Sequence, residues 1–104
     1  MMSVCLKDKV AIVTGASRGI GATVAKRLAN LGATVIVNYN SNKEEADAVV
    51  KDITDNGAQA IAIQADISKL SDIAKLFEET ILKYGQIDIL INNAGLMINK
   101  KIWG

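Results

Sequence analysis

The sequence predicts an α/β protein built around a parallel β-sheet. Short, continuous apolar runs alternate with longer segments in which apolar residues repeat at helical spacing, and glycine-containing turns separate the two kinds of segment. Continuous apolar runs are typical of strands buried on both faces, as in parallel sheets with helical crossovers. The chain has 104 residues, half of them apolar, and contains no Pro. We therefore expect one partial domain over residues 1–104, with unbroken helices and strands.

The first strand is expected at Val10–Val13, where the residues are all apolar. A glycine-rich turn follows it and leads into a helix that ends before Gly32, a residue type common just after helix C-termini. The expected buried face of this helix consists of the apolar residues at helical spacing, namely Ile20, Val24, Leu28 and Leu31.

Two further strand–helix units and a fourth strand follow. The strands are expected at residues 34–37, 60–63 and 87–91, and residues 38–42 form a polar loop after the second strand. Lys43–Asp55 has one apolar and one charged face, which predicts the second helix, and the Asn56-Gly57 pair ends it. Ser71 is expected to cap the third helix, which ends at Gly85. Its expected apolar stripe comprises Ile73, Leu76, Phe77, Thr80, Ile81 and Tyr84.

The alternation of strands and helices also predicts the topology. Right-handed crossovers in a mononucleotide-binding arrangement give the strand order 3-2-1-4. The first two helices then cover one face of the sheet, and the third crosses to the other face. The expected fold is a Rossmann-like, doubly wound parallel sheet, truncated after the fourth strand.

The turn after the first strand has the composition of a phosphate-binding loop. Gly15, Gly19 and Gly21 follow the pattern G-x-x-x-G-x-G between a strand and a helix. A tight turn there needs positive φ, and a diphosphate can approach backbone N–H groups closely only where no Cβ intervenes. The N-terminus of the helix adds N–H groups and the positive end of a dipole. The loop predicts a dinucleotide site, and a glycine turn that binds nothing is the alternative.

The residues after the second strand favour NADP(H) over NAD(H) as the dinucleotide. An acidic residue about 20 positions after the glycines commonly binds the adenosine ribose, but the first acid here is Glu44, in the second helix. We expect no carboxylate to repel a 2′-phosphate. Arg18 is expected to pair with that phosphate, and Asn38 and Ser41 to add hydrogen-bond donors. A solvated loop cation is the alternative for Arg18.

Three motifs together resemble the short-chain dehydrogenase/reductase family. They are Thr14-Gly15-Ala16-Ser17-Arg18-Gly19-Ile20-Gly21, Ala65-Asp66-Ile67 after the third strand, and Asn92-Asn93-Ala94-Gly95 after the fourth. The resemblance covers residues 7–99 and extends in particular to NADP-dependent 3-oxoacyl-[acyl-carrier-protein] reductases and glucose 1-dehydrogenase-like members. It implies hydride transfer between a nicotinamide and a carbonyl or alcohol.

The resemblance also implies roles for individual residues. Asp66 resembles the acid that binds the adenine amino group, with Ile67 contributing its backbone; a turn-forming Asp is the alternative. Asn92, Ala94 and Gly95 resemble the segment that stabilises the sheet and lines the nicotinamide ribose, although backbone capping also accounts for asparagines there. The resemblance assigns contacts with the cofactor phosphates and adenosine to Gly15, Ser17, Arg18, Gly19, Ile20 and Gly21.

The family's catalytic residues have no counterparts in this sequence. The resemblance implies that an Asn, a Ser and a Tyr-x-x-x-Lys pair follow the segment seen here, so we expect no catalytic residue in this chain. Tyr39 and Lys43 match Tyr-x-x-x-Lys only as a string, because residues 40–42 favour a loop or cap.

The predicted fourth strand forms an open apolar edge through Ile89, Leu90 and Ile91. We expect a missing segment or a second chain to cover this edge. The chain is therefore expected to be the cofactor-binding half of a reductase. A non-catalytic nucleotide-binding or docking module and an unstable, nonfunctional fragment are the alternatives.

Composition excludes several other classes of function. The absence of His and the presence of a single Cys, Cys5, exclude His-based catalysis, His-ligated metals and an internal disulfide. A net charge of +1 and 4% aromatic residues give no sign of nucleic-acid binding. No apolar run approaches the ~18 residues of a membrane span, and no secretory signal is evident, so we expect a cytoplasmic protein.

Overall fold

A computed structural model describes residues 5–93 and places four strands and three helices in them. In chain order the elements are β1 (Val10–Val13), α1 (Gly19–Asn30), β2 (Thr34–Tyr39), α2 (Lys43–Asp55), β3 (Gln59–Gln64), α3 (Leu70–Tyr84) and β4 (Ile89–Ile91). All the strand pairs are parallel, and the sheet order is β3-β2-β1-β4. The predicted α/β class and strand order are confirmed.

The sheet separates two layers of apolar side chains. On one face, alternate residues such as Val13 and Val35 pack with the buried residues of α1 and α2. On the other face, Ile12 and Ile36 pack with Leu76 of α3. Successive strand side chains point to opposite faces, so the continuous apolar runs supply both layers. The predicted distribution of helices, two on one face and one on the other, is confirmed.

The buried face of α1 differs from the predicted one. Ile20 is 74% exposed, and Val24 and Leu28 are only partly buried. The residues that pack against the sheet are the small ones, Gly21, Ala22, Ala25 and Ala29. Small side chains allow the helix backbone to lie close to β1 and β2, whereas the larger apolar residues lie at the margins of this contact.

Several element boundaries also differ from those predicted, and β3 is one residue longer at each end than the predicted strand at residues 60–63. β2 continues to Tyr39, because Asn38 and Tyr39 pair in register with Ile63 and Gln64 of β3. The N-cap of α3 is Lys69, which makes no side-chain capping bond, so the predicted cap at Ser71 is wrong. β4 begins only at Ile89.

Asp88 joins β4 to β1 at the amino end of the sheet. Its Oδ2 accepts a hydrogen bond of 2.8 Å from the Val10 N–H, and its own N–H donates to the Val10 carbonyl at 2.8 Å. The Val10 N–H bond, with a second from the Gln86 side chain, lowers the pKa of Asp88. Ionised Asp88 therefore stabilises the pairing that positions β4.

β4 forms one edge of the described sheet. Its Ile89 and Ile91 pack partly on the layer beneath α1 and α2, whereas Leu90 points to the α3 side and is 50% exposed. Beside it lies an apolar groove of about 200 Å³ whose lining includes Ile67, Ile73, Phe77 and Leu90. Within residues 5–93, this part of the sheet is covered on one face and open on the other.

Candidate functional site

The candidate site lies at the carboxyl ends of the four parallel strands. The glycine loop follows β1, and the segments after β2, β3 and β4 meet it at the same edge of the sheet. Ligands of open α/β sheets bind in the crevice at this edge, where strand order reverses on the two sides of β1. The fold therefore brings three separate parts of the predicted site together: the glycine loop, Asp66 and Asn92.

The glycines of the loop have two different structural roles. Gly15 and Gly19 have φ values of 61° and 64°, in the left-handed region that favours glycine. A Cβ on Gly19 would meet no atom within 4 Å, so open space lies over this residue. A Cβ on Gly21 would instead collide with the Gly15 carbonyl oxygen and lie 2.6 Å from Asn93 Nδ2. Gly19 leaves room for a ligand, and Gly21 allows the helix to pack against the loop.

Within the part of the chain that the structure describes, the N-terminus of α1 presents backbone donors that lack an acceptor, next to this open space. The first helical hydrogen bond runs from the Ala22 N–H to the Arg18 carbonyl, at 3.3 Å. The N–H groups of Gly19, Ile20 and Gly21 therefore donate to no acceptor among residues 5–93. The first turn of α1 contains no acidic residue. Donors without an acceptor among residues 5–93, the helix dipole and the absence of a carboxylate from the first turn of α1 together suit an anion such as a diphosphate.

Asn38 is a buried structural residue rather than an exposed donor. Asn38 is only 2% exposed, and its Nδ2 donates to the carbonyls of Ile63 and Ala65, both at 3.2 Å. Its Oδ1 accepts from the Gly15 N–H at 3.3 Å. The prediction that this amide donates to a 2′-phosphate is therefore corrected, because its donors are used inside the protein. Asn38 instead ties the glycine loop to the end of β3.

Asp66 forms a tight local turn. Its Oδ1 accepts hydrogen bonds from the Ser68 hydroxyl at 2.6 Å and the Ser68 N–H at 3.0 Å. These two bonds, the hydroxyl first, lower the pKa of Asp66, so the carboxylate is ionised at neutral pH. The Asp66 N–H donates to Asp72 Oδ2 at 2.8 Å. Oδ1 therefore has the turn-forming role that was the alternative for Asp66. The other carboxylate oxygen, Oδ2, accepts no hydrogen bond from residues 5–93.

A groove joins Asp66 to the glycine loop. It has a volume of about 310 Å³, and its walls come from the loops after β1, β2 and β3. The predicted site residues Gly15, Asn38, Asp66 and Ile67 all line it, together with Asn40, Ala65 and Ser68. The groove connects the glycine loop with the ionised carboxylate of Asp66, and Ile67 also lines the apolar groove beside β4.

The asparagines after β4 connect that strand to the glycine loop. Asn92 Oδ1 accepts a hydrogen bond of 3.1 Å from the Thr14 hydroxyl. The Asn93 N–H donates to the Thr14 Oγ1 at 2.9 Å, and Asn93 Nδ2 donates to the Gly15 carbonyl at 3.2 Å. These bonds position the loop against the sheet. Ala94 and Gly95, which were also predicted to contribute, lie outside the described residues.

The remaining predicted residues lie at the rim of the site. Ser17 is half-buried, Ile20 and Ser41 are exposed, and Arg18 has a side chain that is 71% exposed. Arg18 Nε lies 3.8 Å from Oε1 of Glu45, the third residue of α2. We expected no carboxylate to repel a 2′-phosphate at this position, but the packing of α1 against α2 brings Glu45 to Arg18.

Tyr39 and Lys43 lie on different elements. Tyr39 is the last residue of β2 and is 9% exposed, whereas Lys43 is the first residue of α2 and pairs with Asp47 at 2.7 Å. A catalytic Tyr-x-x-x-Lys pair needs both side chains on one helical face. The geometry therefore agrees with the rejection of this pair as catalytic.

Thr14, Asn93, Ser68 and Glu45 contribute to the site without having been predicted as site residues. The spacing Asp66-x-Ser68 is a recognisable signal, because Asp side chains commonly accept bonds from the residue two positions on. The others carry no comparable local signal, since Thr14 and Asn93 meet across 79 positions of sequence and Glu45 reaches Arg18 from another helix.

Two kinds of feature are absent from the described part of the chain. Within residues 5–93, no helix combines the length and hydropathy that crossing a membrane requires. Nor does this stretch contain a cluster of three or more Cys, Asp or Glu side chains arranged to hold a metal ion.

The sequence matches the short chain dehydrogenase family over residues 9–103. It is 53% identical over 91 residues to an uncharacterized oxidoreductase of Methylorubrum extorquens, an alignment that covers 88% of this chain and 37% of the relative. The chain thus spans little more than a third of the length of that relative.

Solved structures agree with this match. A dehydrogenase/reductase from Sinorhizobium meliloti is 44% identical, with a TM-score of 0.87 over 97% of this chain and 40% of its own. A metagenomic short-chain oxidoreductase in complex with NADP is 40% identical, with a TM-score of 0.82 over 88% of this chain and 41% of its own.

Proposed function

Because the chain belongs to the short-chain dehydrogenase family, we propose that it binds NADP(H) as the cofactor-binding part of an oxidoreductase. The observation that carries the proposal is the N-terminus of α1. There, open space over Gly19 adjoins the N–H groups of Gly19, Ile20 and Gly21, which donate to no acceptor in the described residues 5–93. A diphosphate fits this arrangement because Gly19 has no Cβ to occupy the space and the first turn of α1 has no acidic residue to repel the charge.

The groove beside the loop suits the adenosine end of the dinucleotide. Ionised Asp66 supplies an acceptor for an amino group, and Ile67 supplies an apolar wall. Arg18 lies exposed at the rim, and we expect it to pair with a 2′-phosphate, which favours NADP(H) over NAD(H). Asn38, in the wall of the groove, holds Gly15 and the end of β3 in place.

The reaction proposed for the whole enzyme is hydride transfer to or from a carbonyl or alcohol. When bound, the nicotinamide supplies the hydride chemistry, and the protein supplies binding and orientation. The 104 residues contain no Tyr-x-x-x-Lys pair on one helix. We therefore expect the isolated chain to bind NADPH without turning over a ketone, and steady NADPH consumption by the purified chain would contradict this part of the proposal.

Two glycine-to-alanine variants test the binding site with a matched control. Gly19 and Gly57 both have positive φ, of 64° and 89°, and at both positions a Cβ would extend into open space. Alanine should therefore strain each backbone similarly, by about 1–2 kcal/mol. Gly57 follows α2 at the opposite end of the sheet, near the start of β3.

Only Gly19→Ala should weaken NADPH binding. The Cβ of alanine would occupy the open space over the loop and keep a phosphate from the backbone N–H groups. The loss of one hydrogen bond to a charged phosphate corresponds to about a tenfold or greater rise in Kd. Isothermal titration of the wild type and both variants measures this difference, and thermal melting confirms that the two variants are equally stable. Equal Kd values for Gly19→Ala and Gly57→Ala, or no binding by the wild type, would refute the proposed site.

A further inference from the structure

Arg18 has a charged neighbour within the protein. The Arg18 Nε and Glu45 Oε1 atoms lie 3.8 Å apart, and the two side chains are 71% and 48% exposed. Among residues 5–93, Glu45 is the only acidic residue within 4 Å of the Arg18 guanidinium nitrogens. The separation is that of an ion pair and is longer than a direct hydrogen bond.

The fold holds Glu45 in this position. Glu45 lies in the first turn of α2, where the helix dipole favours an acidic side chain. The next residue, Ala46, is fully buried against the sheet and so fixes the orientation of this turn. Residues on α1 and α2 pack into the same apolar layer, which sets the separation between the start of α2 and the loop before α1.

We infer that Glu45 is a specificity-determining residue that competes with the 2′-phosphate of NADP(H) for Arg18. The inference rests on the proposed nucleotide site. A 2′-phosphate paired with Arg18 must displace the Glu45 carboxylate and then remain near its negative charge. NAD(H) has a hydroxyl in place of that phosphate and meets no such competition. Glu45 therefore reduces the difference in affinity between NADP(H) and NAD(H) that Arg18 creates.

The expected effect is moderate because both side chains are exposed to solvent. Exposed ion pairs are weak and are screened by salt. Neutralising Glu45 should therefore tighten the binding of a 2′-phosphorylated nucleotide by about twofold to fivefold at low salt. The affinity for a nucleotide without the 2′-phosphate should stay within about twofold of the wild-type value.

The test compares Glu45→Gln with Glu44→Gln in the full 104-residue chain. Both variants remove one negative charge from the first turn of α2, but Glu44 has no ion-pair partner among residues 5–93. The probes are adenosine 2′,5′-bisphosphate and adenosine 5′-monophosphate, which occupy only the adenosine end of the site. Their Kd values are measured by isothermal titration, and melting temperatures check that the fold is unchanged.

We expect Glu45→Gln to tighten binding of the bisphosphate more than Glu44→Gln does, with little change for the monophosphate. In an Arg18→Ala background this advantage of Glu45→Gln should disappear, because the competition acts through Arg18. Equal effects of the two variants, or an advantage that persists without Arg18, would overturn the role of Glu45. Wild-type protein that binds neither adenosine probe nor NADPH would instead overturn the proposed nucleotide site, and the inference with it.

Discussion

Replacing Gly21 with alanine should destabilise the protein even though alanine is the better helix former. Gly21 is a buried residue of α1, with helical backbone that other residues readily adopt. A Cβ at this position would collide with the Gly15 carbonyl oxygen and would lie 2.6 Å from Asn93 Nδ2. The carbonyl belongs to the backbone, so relief requires either the loop or the helix to move.

The expected loss of stability follows from three opposing effects. Alanine gains about 1 kcal/mol over glycine in a helix interior. Overpacking against the backbone costs roughly 1–3 kcal/mol. Displacement of Asn93 also breaks its 3.2 Å bond to the Gly15 carbonyl, which costs about 1 kcal/mol more. The net loss is about 2 kcal/mol, equivalent to a fall of roughly 10 °C in Tm for a domain of this size.

Thermal unfolding followed by circular dichroism measures this fall. Thr23→Ala is a suitable control because Thr23 is an exposed residue two positions further along α1, and its hydroxyl donates only a local bond, at 3.2 Å, to the Gly19 carbonyl one turn before it. We expect that variant to match or slightly exceed the wild-type Tm, since alanine has the higher helix propensity. If Gly21→Ala also matched or exceeded the wild type, the close packing of α1 on the glycine loop would be refuted.

Two further variants test the polar contacts at the two ends of the sheet. Asn38→Ala removes the buried amide that bonds Gly15 and the carbonyls of Ile63 and Ala65. The free energy of unfolding should fall by about 1–3 kcal/mol because these partners lose their hydrogen bonds inside the protein. Urea unfolding measures the loss, and an unchanged midpoint would contradict the prediction. Asp88→Asn should destabilise the protein most at neutral pH. The pKa of Asp88 is lowered in the folded state, so its contribution is complete above about pH 4 and disappears as the pH falls through the folded-state pKa. The difference in Tm between wild type and this variant should therefore shrink below about pH 4, and a constant difference would show that ionised Asp88 has no special role.

Most of the fold could be predicted from local patterns. The bounds of α2 were predicted as Lys43–Asp55 and are observed there, because its apolar and charged faces repeat clearly and Asn56-Gly57 ends it. The strand order followed from general rules for right-handed crossovers. These features depend on residues close together in sequence or on rules common to parallel sheets.

The errors arose where tertiary packing outweighs the local pattern. The apolar repeat of α1 predicted that Ile20 faces the core, but the helix lies on its small residues and leaves Ile20 74% exposed. Residue size alone does not show which face of a helix must approach a sheet closely. Similarly, Asn38 looked like a polar loop residue, yet pairing with β3 extends β2 and buries it.

The class of fold, the strand order and the glycine loop could be predicted from the sequence, because hydrophobic period and glycine spacing are local properties. The atoms that meet at the site could not, because their contacts join segments that are distant in the sequence. The Asn38 amide faces inward because the ends of β2 and β3 lie together. Asn93 donates a hydrogen bond to the carbonyl of Gly15, which is 78 positions earlier in the sequence. Glu45 reaches Arg18 because α1 and α2 pack on the same face of the sheet. Such contacts depend on the distances between elements, and those distances are set by side-chain packing across the whole core.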